Sequence, residues 1–360
     1  MTELVIVAAD LYLAGSSAAM LPMSSSLPGL ARLLQFGRVE MLAHGWRCEL
    51  ARWLGRCDLA ALSPAPIAAT AVLHGASSRS PADAFVWFAD PLHLVASLTS
   101  VHLMPQGLLR VDAAAQGHLV QAFDDTFGGA GYALTPTRAG RFLATGPALS
   151  GDIQTTDPAR CLGASLEHAL PRGGGAAALR RLAAEIEMWL HEHPVNAARA
   201  AARRAPISTL WLWGGGRLLA AQMQPSSADN APPSVGFFSD DAYVEGLAHL
   251  LGAHCASPPR SLAALGALKP QRIVTTLELF TAAQTGALDA TTPLAALESF
   301  DREWLMPAVG ALSRGSLTRC TLIANDRRVS FTRHDRWRLW RHSRSRSALG
   351  ALTAGPPSKT

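Results

Sequence analysis

The sequence predicts an α/β protein in which a doubly wound, mostly parallel sheet is interrupted by an inserted α+β unit. Three observations predict it. Leu4–Ala8 is a short run, apolar on both faces and followed by Asp10, the pattern of a central parallel strand. In the second half of the chain such runs alternate with segments of helical periodicity. Between Phe85 and about Arg172 the texture changes to short strands around a single helix.

The elements follow in order. Pro28 to Phe36 carries apolar residues at helical spacing and stops at Gly37, and Cys48 to Leu54 repeats the pattern up to Gly55. Ser77 to Pro81 is a polar break. Strands are expected at Phe85–Ala89, His93–Ser97, Leu108–Val111 and Gly140–Ala144, with a helix over Ala113 to Phe127. Pro171-Arg-Gly-Gly-Gly175 is a linker by composition. Ala176 to Leu190 is the strongest helix, with Leu179, Leu182, Ile186, Trp189 and Leu190 on one side. Leu210–Trp213, Val235–Phe238, Ile273–Leu277 and Leu322–Ala324 read as buried strands of the main sheet. Tyr243–Leu251, Leu294–Leu312 and a shorter helix near Leu262 lie between them, and Gln222 to Pro233 is a loop. The expected domains are 1–84 with 173–342 for the sheet, 85–172 for the insertion, and 343–360 as a disordered tail.

Composition narrows the function classes. Hydrophobic residues make up 49% of the 360 and charged residues 16%, so a sizeable core can be buried. The net charge is +5 and almost all of the positive charge is Arg, which with the abundant Ala reads as coding bias rather than a nucleic-acid footprint. Cys48, Cys57, Cys161, Cys255 and Cys320 contain no CxxC pair and are odd in number, which argues against a disulfide framework or zinc ribbon and for a reducing compartment. The first ten residues read as a buried strand rather than a signal peptide, and no apolar run approaches the ~18–20 residues of a membrane span. A cytoplasmic protein is expected, with no membrane partner and nucleic acid disfavoured.

The densest local signal is Glu185-Ile-Glu-Met-Trp-Leu-His-Glu-His-Pro-Val-Asn196, followed by Ser208-Thr-Leu-Trp-Leu-Trp-Gly-Gly-Gly216. It reads as a helix stopped at His193-Pro194, a polar loop, and a short strand running into glycines. Backbone N–H groups at such glycines approach whatever lies beyond the strand end, with Arg217 as counter-charge for an anion. His193, Asn196, Gly214, Gly215, Gly216 and Arg217 are therefore the candidate ligand-binding residues, and His193, Asn196 and Gly214 to Gly216 are expected to line one cleft between the core and the inserted unit. The plainer alternative for the glycines is a tight turn. For His191 and His193 it is a helix end that caps carbonyls, because two residues apart on a helix they face different ways. Trp211 and Trp213 read as core before they read as a cleft platform.

The His-Pro-Val-Asn and Leu-Trp-Leu-Trp-Gly-Gly-Gly pattern resembles the RpfE-type regulatory protein family, as does Asp90-Pro-Leu-His93, whose Asp is expected to cap a turn. More distantly the chain resembles archaeal-type cofactor-independent phosphoglycerate mutases, of the alkaline-phosphatase-like superfamily. Leu4-Val-Ile-Val-Ala-Ala-Asp10, Leu27-Pro-Gly-Leu30, Thr155-Thr-Asp-Pro158, Tyr243-Val-Glu-Gly-Leu-Ala248 and Ala296-Leu-Glu-Ser-Phe-Asp301 carry that likeness. It implies an alkaline-phosphatase-like fold. It also implies a serine nucleophile and two metals, which the residues do not supply. Gly45-Trp46-Arg47-Cys48 stands where the serine turn falls, with Trp46 for the serine and Arg47 for an aspartate. Ile273 to Phe280 lacks the metal-binding Asp and His, and Asn325-Asp326-Arg327 replaces a late Asp-His pair. Asp10, Asp326 and His334 are left as weak metal candidates, too few for two-metal phosphoryl transfer.

The expectation is thus a non-catalytic regulatory or ligand-binding protein derived from a mutase-like phosphotransferase. Its ancestral divalent metals are lost, no cofactor is needed, and its partner is a small anionic ligand or a protein. The competing expectation is a mutase or phosphatase acting on a small phosphorylated metabolite. Arg327 to Arg346, interleaved with Trp337 and Trp340, offers a nucleic-acid grip or, more plainly, a solvated edge strand.

Overall fold

The computed structural model describes residues 2–11, 27–42, 44–73, 84–218, 235–265, 271–279, 293–324 and 327–335. The expected tail 343–360, most of the segment 327–346, the loop 222–233 and Asp326 lie outside the described residues.

The chain begins with β1 (Thr2–Ala8), α1 (Pro28–Phe36), β2 (Arg38–Met41), α2 (Gly45–Trp53), a short α3 (Cys57–Ala60) and α4 (Pro64–Val72). It then crosses to β3 (Phe85–Ala96), β4 (Val101–Leu108), α5 (Ala113–Phe127), β5 (Ala133–Pro136), β6 (Phe142–Gly146), β7 (Ala164–Ser165), α6 (Ala176–His191), α7 (Pro194–Ala201) and β8 (Thr209–Arg217). It returns through β9 (Val235–Phe238), α8 (Ala242–Leu250), β10 (Cys255–Ala256), β11 (Arg272–Leu277), α9 (Pro293–Phe300), α10 (Met306–Arg314), β12 (Leu317–Ala324) and β13 (Arg327–Thr332).

The result is a mixed α/β architecture with two sheets. The first has the order β10-β9-β11-β1-β12-β13-β2. Its strands run parallel from β10 to β12, and β13 and β2 add an antiparallel edge. The second is antiparallel, ordered β5-β6-β3-β4-β7, with β8 pairing β3.

β1 sits between β11 and β12, and its alternation shows why both faces are apolar. Leu4, Ile6 and Ala8 pack with Leu30, Leu33, Phe300, Leu305 and Val309 of α1, α9, α10 and the turn that joins α9 to α10. Val5 and Val7 pack with Leu50, Ile67 and Leu247 of α2, α4 and α8. Those helices serve both sheets, because Val86, Phe88 and Trp213 of the second sheet join the same cluster. The opposite face of the second sheet is closed by Leu119, Phe123, Leu182, Ile186 and Leu190 of α5 and α6. The molecule is layered as helices, sheet, shared helices, sheet, helices.

One placement differs from the sequence reading. Leu210–Trp213 is not a central strand of the parallel sheet but pairs antiparallel with β3, from Thr209↔Leu92 to Arg217↔Phe85. A run apolar on both faces suits either sheet here, since each is covered on both sides, and local pattern does not specify the pairing partner. The glycines are not a turn beyond the strand but part of it. Between the Phe88↔Trp213 and Val86↔Gly216 pairs, β8 spends one residue more than β3, a bulge accommodated by Gly214 at φ +63°.

The segment 194–207, read as a polar loop, contains α7. Pro194 occupies its first turn, where the missing N–H is no loss, and His193 caps it. Long-range capping also fixes α1: Leu27 offers no side-chain cap, and Asp301 accepts from Gly29 N at 3.0 Å and Leu30 N at 2.6 Å. Burial raises the Asp301 pKa, against the pull of those two N–H groups. None of the described helices is long and apolar enough to cross a membrane.

Candidate functional site

The five residues expected in one cleft are divided by the structure. His193 Nδ1 accepts from Val195 N at 3.1 Å, which requires the neutral ring, and burial followed by the nearby His118 lowers its pKa. Asn196 donates to Leu190 O and Ile207 O and accepts from Ile207 N, bracing the entry to β8. Both residues serve the start of β8, while Gly214–Gly216 lie at its other end. Gly214 N donates to Thr155 Oγ1 at 2.9 Å. Gly215 lies flat against Trp87, since an added Cβ would fall 2.1 Å from Trp87 Cδ1. Gly216 lies against Pro66, and Arg217 pairs with Phe85 at an exposed strand end. The expected single pocket is therefore two separate places, because β8 continues straight through the glycines instead of turning back.

Of the weak metal candidates, the two that are described, Asp10 and His334, do not converge either. Asp10 is buried beyond the carboxyl end of β1, where its Oδ1 accepts from Leu279 N at 2.7 Å. His334 is exposed in the turn after β13. That strand runs antiparallel to β12, with Thr332 beside Arg319 and Arg327 beside Ala324, so His334 lies at the opposite edge of the sheet from Asp10. Among the described residues no three His, Cys, Asp or Glu side chains are grouped to hold a metal ion. The described donors do not by themselves make a two-metal centre.

What does converge at the carboxyl edge of the parallel strands is a set of arginines and carboxylates. Arg47, at the third position of α2, donates from Nη1 to Asp157 Oδ2 at 2.7 Å and from Nη2 to Asp241 Oδ2 at 3.0 Å. A cation in the first turn of a helix is disfavoured by the helix dipole, and here two carboxylates compensate it. Each also caps: Asp241 Oδ1 accepts from Tyr243 N at the start of α8, and Asp157 Oδ1 from Ala159 N. The guanidinium carbon lies 4.2 Å from the Trp46 ring centroid, 4.8 Å from Trp213, 5.6 Å from Phe88 and 6.0 Å from Tyr243. Cation–π attraction thus adds to the ion pairs in a water-poor place. Tyr243 donates its hydroxyl to Arg47 O, and burial pushes its pKa up.

A second charged group adjoins the first. Trp213 donates its indole N–H to Asp90 Oδ2 at 2.7 Å, and Arg141 Nε stands 3.7 Å from Asp90 Oδ1. Arg141 and Arg110 each pair with Glu278 at 2.8 Å. Burial raises the Asp90 pKa to about 6, against the pull of Arg141 and the Trp213 bond. Burial also opposes the charges of Arg141 and Glu278, yet their mutual attraction wins: the Arg141 pKa is raised and that of Glu278 lowered. Asp90, expected to cap a turn, lies mid-strand and ties β3 to β8.

A cavity of about 520 Å³ opens beside Arg47. Trp46, Arg47, Asp157, Gly214, Arg52 and Arg160 are among its walls. Among the described residues Asp157 is its one carboxylate, and Arg52 and Arg160 stand exposed at its margin. Its described walls thus carry more arginine than carboxylate. Sequence reading noted Arg47 only as a departure from the mutase pattern. The further signal was present in Thr156-Asp157-Pro158 and Asp240-Asp241-Ala242, two helix-capping aspartates in search of a cation.

The arginines of β13 have intramolecular places. Arg328 pairs with Glu40 and Glu49, and Arg327 Nε lies 3.1 Å from Met41 Sδ.

No protein-family model and no curated protein matches the chain. Among solved structures it is similar to a cofactor-independent phosphoglycerate mutase from Thermoplasma acidophilum DSM 1728, with 17% identity over 92% of this chain and 90% of that one and a TM-score of 0.37. It is also similar to the PH0037 protein from Pyrococcus horikoshii, with 13% identity over 91% and 86% of the two chains and a TM-score of 0.46.

Proposed function

We propose that this chain is a non-catalytic, ligand-binding regulatory protein whose cleft, inherited from a phosphoglycerate-mutase-like phosphotransferase with an alkaline-phosphatase-like arrangement, holds a small anion. The observation that carries the reading is the Arg47 guanidinium, held by Asp157 and Asp241 inside four aromatic rings. Phosphoryl transfer through two metals needs carboxylates free to bind ions and a nucleophile beside them. Here two of the cleft carboxylates are already neutralised by a tethered cation, and Trp46 stands in the same first turn, where the sequence resemblance puts the nucleophile. The adjoining cavity keeps the capacity to bind: it has three arginines and one paired carboxylate on its walls. Of the glycines singled out in the sequence, Gly214 is its neighbour. The five cysteines, none of them in a disulfide, fit a cytoplasmic location.

The test is an assay with 3-phosphoglycerate in the presence of manganese or cobalt, paired with calorimetric titration of inorganic phosphate. No turnover and saturable phosphate binding, weakened by Arg52→Ala, are expected. Turnover abolished by Asp10→Asn would establish the enzyme reading instead, and absence of phosphate binding would remove the pocket from consideration.

A further inference from the structure

Resting on that reading, we infer that Arg47 is the residue that selects the ligand, and that it does so by exchange: a ligand oxyanion takes over the guanidinium edge that Asp157 holds. The two carboxylates on Arg47 are not equivalent. Asp241 is nearly closed off, with 5% of its side chain exposed, and it is fixed further by capping α8 and by donating its own N–H to Ser239 Oγ. Asp157 has 15% of its side chain exposed and forms part of the cavity wall beside Arg47. An anion entering the cavity meets the Nη1 side first.

The ligand class follows from the donor. A planar guanidinium is matched by an oxyanion with two or more equivalent oxygens, a phosphate or a carboxylate, in charge-assisted bonds as strong as those it replaces. Exchange keeps Arg47 compensated throughout, while Asp157, released, turns toward the water of the cavity. Adding an anion without exchange would crowd three negative groups around one cation.

The exchange also has an output. Asp157 belongs to a strap on the second sheet, tied to β8 by the Thr155 Oγ1 bond from Gly214 N and by the Trp211 indole bond to Thr156 O. Arg47 belongs to α2, one of the helices shared by the two sheets. The Arg47–Asp157 pair thus ties that shared helix to the strap on β8, and ligand binding opens it. Trp46 and Trp213, which flank the guanidinium, make the event visible as a change in tryptophan emission.

The experiment is a double-mutant cycle on the full chain, titrating inorganic phosphate, with acetate as the second probe, by calorimetry and tryptophan fluorescence. Asp157→Asn retains the Oδ1 cap on Ala159 N and removes the competing charge, so phosphate should bind about tenfold more tightly, a coupling of ~1.4 kcal/mol. Arg47→Met should weaken binding at least about tenfold, and in that background Asp157→Asn should give no gain. If Arg47→Met does not fold, Arg47→Lys takes its place. It keeps the charge but loses the fork, and should lessen the gain from Asp157→Asn. A gain of equal size with and without Arg47, or none in either, overturns the exchange while leaving the pocket standing. Failure of wild type and Asp157→Asn alike to bind phosphate or acetate overturns both. Tighter acetate than phosphate would assign the site to carboxylates.

Discussion

Trp213 on β8 and Asp90 on β3, diagonal neighbours across the antiparallel pair, are joined side chain to side chain by a 2.7 Å hydrogen bond inside the protein. That bond satisfies one oxygen of a carboxylate that is only 1% exposed, and the other oxygen stands 3.7 Å from the Arg141 guanidinium.

A pH dependence follows. The Asp90 pKa is raised to about 6 in the folded protein, above its ordinary value of 3.8. Folding therefore favours the protonated acid, and the stability contributed by Asp90 is complete below pH 3.8 and lost as pH rises through 6. The amount is of the order of 3 kcal/mol. Asp90→Asn keeps an oxygen for the Trp213 N–H and should flatten that part of the stability profile, leaving the protein as stable as wild type or more so at pH 7. Urea denaturation between pH 4 and 7 measures it. An unchanged slope would mean that Asp90 remains ionised throughout.

Asp301 supplies the N-terminal cap of α1 from a helix far along the chain. Asp301→Ala leaves Gly29 N and Leu30 N without acceptors in a buried place and should lower stability by about 1–3 kcal/mol. Asp301→Asn should recover part of the loss. Equilibrium unfolding in urea distinguishes the three proteins.

Two glycines separate crowding from backbone conformation. Gly215→Ala places a methyl 2.1 Å from Trp87 Cδ1, and Trp87 is buried, so a loss of about 1–3 kcal/mol is expected from overpacking. Gly55 has φ +82° and open space around it, so Gly55→Ala should lose only about 1 kcal/mol, from the left-handed backbone alone. Thermal denaturation should rank them in that order.

Much of the first sheet was legible because its information is local. β1 announces itself as an apolar run, Ala113–Phe127 and Pro28–Phe36 by their periodicity and end signals, and β9 and β11 by short apolar texture. What escaped was nonlocal. β8 looks like a central parallel strand until its partner is known. Pro194 looks like a stop, yet the same proline also starts the next helix. The site was half legible: Arg47 stood out as a substitution, but its meaning depends on Asp157 and Asp241, separated from it by 110 and 194 positions. No periodicity or spacing rule connects residues that far apart.

The position of β1 has a kinetic side. Its partners on either edge, Ile273 beside Leu4 and Cys320 on the other flank, are made long after β1 itself. At ~5–20 residues per second, a ribosome leaves this sticky segment waiting roughly 15–60 s before both neighbours exist. The antiparallel β3–β6 region, whose contacts are closer in sequence, can settle during that interval. Until both neighbours exist, β1 is an apolar segment without the pairing that buries it.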